Sequence, residues 1–95
     1  MRELVWTTPA IGDLQAIDTW LSEHRSPDLA RRRLAKLRER AEFLIEFPHL
    51  GRPGDKNVRI LRAFDTPYVI VYRLKGEKLE ILRIRHERED WLVIR

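Results

Sequence analysis

The chain contains no cysteine among its 95 residues. Disulfide bonds and thiolate metal sites are therefore excluded, and so small a fold must depend on an apolar core. No apolar run approaches the ~18 residues of a membrane span. The N-terminus places Glu3 beside Arg2 and reaches Pro9 before an apolar stretch develops, which is unlike a secretory signal. We therefore expect a cytoplasmic protein that spans no membrane.

Proline and glycine are also scarce, with five and four residues, whereas 43% of the chain is hydrophobic. This composition predicts a folded globule rather than a disordered chain. A length of 95 residues fits one domain and leaves no room for a second core. We therefore expect a single domain over residues 1–95.

The positive charge is confined to the second half of the chain. Residues 1–51 contain eight basic and eight acidic residues, whereas residues 52–95 contain eleven basic and seven acidic ones. The whole net charge of +4 therefore lies in the second half. Such a half attracts phosphates or an acidic partner, although so small a surplus is also compatible with solubility alone.

Two helices are predicted after a short opening strand over residues 2–7. Thr8-Pro9 and Ser26-Pro27 each have the pattern of an N-cap followed by proline at the first helical position. Apolar residues spaced three and four apart then predict helices over residues 9–25 and 27–47, which Pro48 ends. The buried stripes would be Ala10, Leu14, Ile17 and Leu21, then Ala30, Leu34, Leu37, Ala41 and Leu44. The short link between them predicts an antiparallel hairpin.

Beyond residue 54 the apolar period changes from 3.6 to 2. Alternating and β-branched stretches predict strands over residues 57–63, 67–75 and 78–86, and residues 87–95 form a tail. The order β-α-α-β-β-β predicts an α+β fold, in which the helical hairpin packs on one face of a small, mostly antiparallel, twisted sheet. Residues 49–54 are expected to be a loop, and the place of the first strand in the sheet stays open.

Several segments resemble the RelE/ParE superfamily of toxins. They are Pro48-His49-Leu50-Gly51-Arg52-Pro53, Val58-Arg59, residues 68–73, residues 81–86 and Asp90-Trp91, and they recur in this order over nearly the whole chain. The resemblance implies the toxin of a type II toxin–antitoxin pair, neutralised by an antitoxin protein encoded beside it. It implies no cofactor. It leaves two activities, either inhibition of DNA gyrase, as in ParE-like toxins, or messenger RNA cleavage in the ribosome, as in RelE-like toxins.

Three residues could form a minimal ribonuclease site. Arg59 and Arg83 match basic positions of RelE-like sites and could hold a phosphate. His86 is the nearby residue suited to proton transfer at neutral pH. The tail offers Trp91 in place of the tyrosine or similar polar group of these nucleases, and His86 falls on the opposite strand face from Arg83. The ending also resembles the ParE branch, so we favour a gyrase inhibitor that is not an enzyme. The alternatives are a RelE-like nuclease and a non-toxic basic binding module.

Two surfaces are predicted from the basic residues. Facing the target or a phosphate we place Arg59, Arg73, Arg83, Arg85, Arg88 and Trp91. For the antitoxin we propose Arg31, Arg32, Lys36 and Arg38. Alternatively, Arg59 and Arg83 are solvated or pair with Glu77, Glu80 or Glu87, and the basic run at 31–33 is solvated. No metal site is expected, because pairs such as His-x-x-x-His are absent.

Overall fold

Two helices pack on one face of a five-stranded sheet in the computed structural model, which describes residues 2–88. The helices are α1 (Thr8–His24) and α2 (Pro27–Glu46). The strands are β1 (Glu3–Trp6), β2 (Arg52–Pro53), β3 (Val58–Arg62), β4 (Tyr68–Lys75) and β5 (Lys78–His86). The predicted α+β class and helical layer are confirmed. Neither helix is long and apolar enough to cross a membrane.

The start of each helix is determined by a hydroxyl cap. Ser26 caps α2 as predicted, because its Oγ accepts the N–H of Leu29 at 3.0 Å. The prediction for α1 was wrong by one residue, since its cap is Thr7 rather than Thr8. The Thr7 hydroxyl accepts the N–H of Ala10 at 3.4 Å and donates to the carbonyl of Ile81 at 2.7 Å. Thr7 therefore joins the end of β1 to the first turn of α1.

The two predicted apolar stripes face the sheet. Fully or nearly fully buried are Ala10, Leu21, Ala30, Leu37, Ala41 and Leu44. Leu14, Ile17 and Leu34 pack against the same core but are only partly buried. The sheet supplies the other half of this core from Tyr68, Ile70, Tyr72, Leu79 and Ile81, among others. Neither layer could bury its apolar side alone.

The strand order is β1-β5-β4-β3-β2. The last three long strands form the predicted antiparallel meander, and β1 joins its edge by pairing with β5 in parallel. Sequence alone had left the place of β1 open. The expected loop at residues 49–54 also contains β2, two residues that pair with β3.

A β-bulge at Leu82 divides β5 into two halves. Val71 lies opposite Arg83 and Tyr72 lies opposite Ile81, so Leu82 is an extra residue without a partner on β4. Such a residue reverses the alternation of side chains beyond it. Leu79 and Ile81 face the helices before the bulge, and Ile84 and His86 face them after it.

Tyr72 fixes the segment that follows α2. It is fully buried, donates its hydroxyl proton to the carbonyl of Pro48 at 2.8 Å and accepts the N–H of Gly51 at 2.9 Å. Burial raises the pKa of Tyr72, and the Gly51 N–H and the charge of Arg59 only partly oppose this effect. Gly51 has no room for a side chain, because an added Cβ would lie 2.7 Å from the Tyr72 ring.

Candidate functional site

The sheet face opposite the helices carries four arginines from three neighbouring strands. In register, Arg83 lies opposite Val71, and Arg85 and Arg62 both lie opposite Val69. Arg73 lies opposite Val58 on one side and Glu80 on the other. We call Arg62, Arg73, Arg83 and Arg85 the basic sheet face. Arg73, Arg83 and Arg85 are among the residues predicted to face the target, whereas Arg62 is an addition from the structure.

Acidic side chains orient Arg62, Arg73 and Arg83. Arg73 Nε lies 2.6 Å from Glu80 Oε1, and this hydrogen bond is the main cause that lowers the pKa of Glu80. Arg62 Nη2 lies 3.1 Å from Glu87 Oε2. The sequence suggested Glu77, Glu80 and Glu87 as partners of Arg59 or Arg83. Glu80 and Glu87 do form ion pairs, with Arg73 and Arg62. Glu80 and Glu87 reduce the net positive charge of the face and orient its cations.

Arg83 is held by α1. Its Nε and Nη2 each donate to a different oxygen of Asp13, both at 2.8 Å, and the backbone N–H of Ile84 donates to the same carboxylate at 2.9 Å. β1 ends opposite Ile81 and pairs with β5 no further. Beyond that point, the Asp13 carboxylate accepts the backbone N–H of Ile84 at the edge of β5 that β1 leaves uncovered. Burial acts to raise the pKa of Asp13, but these hydrogen bonds and the charges of Arg83 and Arg85 outweigh it, so the pKa is lowered.

Arg59 lies on the other face of the sheet, in register with Tyr72. Its Nη1 donates to the carbonyl of Gly51 at 2.7 Å and to that of His49 at 3.3 Å. The guanidinium thus lies against backbone carbonyls of the segment that Tyr72 also fixes. An arginine in this position stabilises the loop after α2 and is turned away from the basic sheet face.

His86 faces the helical side of the sheet. Its ring meets the ring of Tyr68 edge-on, with 5.8 Å between centroids, and its Nδ1 accepts the N–H of Arg88 at 3.1 Å. His86 and Arg83 are three residues apart in regular register and therefore lie on opposite faces, as expected from sequence, and the bulge at Leu82 turns His86 towards the helices. The three candidate nuclease residues are therefore not gathered at one site. Arg59 lies against the loop after α2, Arg83 against Asp13 of α1, and His86 against Tyr68. Arg88 follows β5 in a turn, and Trp91 lies outside the described residues.

The candidates for antitoxin binding lie on exposed positions of α2. Arg31 forms an ion pair with Asp28, and Lys36 Nζ lies 3.3 Å from Asp65 Oδ2. Arg32 and Arg38 are exposed as well. These four residues thus form the solvent-facing side of the helix, opposite its buried stripe.

An aromatic patch at the C-terminal end of α2 was not predicted. Phe43, Phe47 and Phe64 are 44%, 49% and 68% exposed, and the Arg40 guanidinium lies 4.4 Å from the ring centroid of Phe64. The signal was present in the sequence, because Phe43 and Phe47 are four apart and off the buried stripe of α2. Exposed aromatic clusters of this kind are typical of protein interfaces.

No group of three or more His, Asp or Glu side chains within residues 2–88 is placed to hold a metal ion. Fold and surfaces together define a small basic protein with one polar face on its sheet and another on its helices.

Comparison with known proteins agrees with this class. The family described as ParE toxin of type II toxin-antitoxin system, parDE, matches residues 4–91. Toxin RelE2 of Caulobacter vibrioides is 37% identical over 86 residues, which are 90% of this chain and 96% of that protein. Toxin ParE3 of the same organism is 33% identical over 85 residues, 88% of this chain and 85% of that protein. A chain in the solved chromosomal ParDE TA system from P. aeruginosa superposes with a TM-score of 0.83 at 30% identity, covering 90% of this chain and 96% of its own.

The chain therefore belongs to the ParE toxin family of type II toxin–antitoxin systems, within the RelE/ParE superfamily that its sequence resembles. Its function as the toxin of such a system follows from that membership. The two Caulobacter relatives carry names from both branches at similar identity, so their names do not select a target.

Proposed function

We propose that this toxin acts as a ParE-like inhibitor of DNA gyrase or a related topoisomerase, in the cytoplasm, by binding rather than by cutting RNA. The observation that carries the proposal is the separation of Arg59, Arg83 and His86. Arg59 lies on the carbonyls of His49 and Gly51, Arg83 on Asp13, and His86 against Tyr68 on the helical side. RNA cleavage without a metal needs an acid, a base and a cation around one phosphate.

A binding toxin needs only a complementary surface, and the basic sheet face offers one. Its arginines flank Val69 and Val71, so cationic groups alternate with an aliphatic strip. Arginine on an apolar floor is a frequent combination in protein interfaces, because the guanidinium keeps its donors while its stem packs. We therefore place the target contact on this face, with Arg62 and Arg85 on either side of Val69 at one end of it.

The helical layer is the surface we assign to the antitoxin. Exposed Arg31, Arg32, Lys36 and Arg38 would attract acidic side chains, and the neighbouring Phe43 and Phe47 would receive apolar anchors. An amphipathic segment with acidic flanks fits this combination. Target and antitoxin would then bind different layers of the toxin.

The test is a supercoiling assay with purified gyrase and toxin. The wild-type toxin should block supercoiling and accumulate cleaved DNA. Arg85→Glu should weaken inhibition at least tenfold and leave antitoxin affinity within twofold, whereas Arg38→Glu should do the reverse. Normal supercoiling at excess wild-type toxin contradicts the proposal, and so does equal loss of inhibition in both variants.

The second candidate function is a RelE-like ribosome-dependent nuclease, favoured by the 37% identity to RelE2. Primer extension on translated messages would then reveal codon-phased cuts that disappear in His86→Ala. Such cuts, with gyrase unaffected, would replace the gyrase proposal. Unimpaired growth of cells that express the chain alone would instead favour the non-toxic binding module.

A further inference from the structure

An open groove runs between α1 and the end of β5, on the helical side of the sheet. We call it the α1–β5 groove, and it has a volume of about 600 Å³. Its lining is mostly apolar, from Ala16, Ile17, Trp20, Leu21, Pro67 and Tyr68, and it also includes Arg25, Arg33 and His86. Trp20 is 53% exposed. An apolar floor of this size with two cations beside it has the composition of a binding site for a peptide segment.

The chain leaves the sheet at this groove. Beyond β5, the N–H of Glu87 donates to the carbonyl of Pro67 at 2.7 Å, and the N–H of Arg88 donates to Nδ1 of His86 at 3.1 Å. Pro67 and His86 both line the groove. Arg88, the last described residue, therefore contacts a residue that lines the groove, and three extended residues can reach about 10 Å from it.

The residues that follow have matching chemistry. Glu89 and Asp90 are acidic, and Trp91-Leu92-Val93-Ile94 is an uninterrupted apolar run. Arg25 and Arg33 have no ion-pair partner within residues 2–88. In composition, two carboxylates followed by four apolar side chains thus complement two cations beside an apolar floor.

We propose that residues 89–94 dock in the α1–β5 groove of their own chain, with Glu89 and Asp90 beside Arg25 and Arg33 and with Trp91 among the apolar lining. The occupant is this segment rather than a second copy, because a short covalent connection gives it an effective concentration of the order of millimolar. Docking covers Trp20 and removes an apolar run from water. The inference does not depend on which target the toxin binds.

Cysteine cross-linking tests the proposal directly, because the natural chain has no cysteine to compete. In the full-length protein, Ala16→Cys in the groove is combined with Leu92→Cys or with Val93→Cys, two neighbours of which at least one should face α1. The matched control is Asp18→Cys, which is also exposed but about 200° around α1 from Ala16. A disulfide requires Cα atoms within roughly 7 Å of each other.

With oxidised glutathione as the oxidant, at least one Ala16→Cys pair should close an intramolecular disulfide tenfold faster than the corresponding Asp18→Cys pair. Arg33→Glu should slow that closure at least threefold, and adding Asp90→Arg should restore it. Equal closure of the groove and control pairs would overturn the docking. A disulfide that joins two chains, with a rate that rises with protein concentration, would overturn the intramolecular assignment. If the Arg33→Glu variant closed its disulfide as fast as the parent, the proposed charge pairing with Arg33 would be wrong.

Discussion

Replacing Asp13 by alanine should destabilise the toxin by about 2 kcal/mol. Its carboxylate accepts two hydrogen bonds from Arg83 and one from the backbone N–H of Ile84. Hydrogen bonds to charged groups contribute roughly 1.5–3 kcal/mol each, and a buried donor left without an acceptor costs roughly 1–3 kcal/mol. Because the Arg83 side chain is 40% exposed, water replaces most of what its two hydrogen bonds contribute. The separate contributions are therefore not summed, and we take about 2 kcal/mol for the whole site.

Urea unfolding followed by circular dichroism measures the effect. For a domain of this size, about 2 kcal/mol corresponds to a fall of roughly 8–16 °C in melting temperature. Asp13→Asn keeps an oxygen for the Ile84 N–H and should lose only about 1 kcal/mol. The control is Asp65→Asn, which removes a carboxylate that is 80% exposed and pairs only with Lys36, so stability should change by less than 0.5 kcal/mol. An Asp13→Ala protein as stable as the control would refute the role given to this carboxylate.

The same carboxylate predicts the sign of a pH effect. The pKa of Asp13 is lowered in the folded state, so the unfolded chain takes up this proton first as the pH falls. The stabilisation by Asp13 is thus fully present above an unfolded pKa of about 3.9 and is lost below it. The difference in stability between wild type and Asp13→Asn should be constant above about pH 5 and should shrink towards pH 3. A difference that grows on acidification would contradict this linkage.

Two further predictions concern the segment after α2 and are checked by the same unfolding measurement. Gly51→Ala should cost about 1–3 kcal/mol, because the new Cβ would lie 2.7 Å from buried Tyr72. Gly12→Ala on the exposed side of α1 meets open space and should stabilise by roughly 0.5–1 kcal/mol. A loss of stability in both variants would contradict the steric reason. Tyr72→Phe should cost about 1–2 kcal/mol, because the carbonyl of Pro48 and the N–H of Gly51 both lose their partner. A stable Tyr72→Phe protein would mean that water reaches these groups.

Much of the architecture followed from local patterns. The stripes of α1 and α2, the Ser26 cap and the three long strands each depend on contacts within one element, and such patterns are visible in sequence. The cap of α1 was misplaced because Thr7 and Thr8 are chemically equivalent on paper. Only the register with β5 distinguishes them, since the hydroxyl of Thr7 also donates to the carbonyl of Ile81.

The bulge in β5 shows why the site could be predicted only in part. Strict alternation from Leu79 would put Arg83 and Arg85 on the same face as buried Ile81. The consecutive apolar pair Ile81-Leu82 was the available sign of a change in phase, since it interrupts the alternation. The partner of Arg83, by contrast, had no local signal, because Asp13 lies 70 residues away in the chain. Pairings at such separation are determined by the packing of α1 on the sheet and produce no periodic pattern in the sequence.

The covered edge of β5 has a consequence for how the protein tolerates damage. The strand is nine residues long, and its outer edge is hidden first by β1 and then by the carboxylate on α1. Loss of the first seven residues would therefore remove β1 and expose the edge of β5. The unpaired backbone groups of that edge could then form hydrogen bonds with a strand of another chain. A proteolytic nick near the N-terminus should therefore make the toxin prone to self-association through β5.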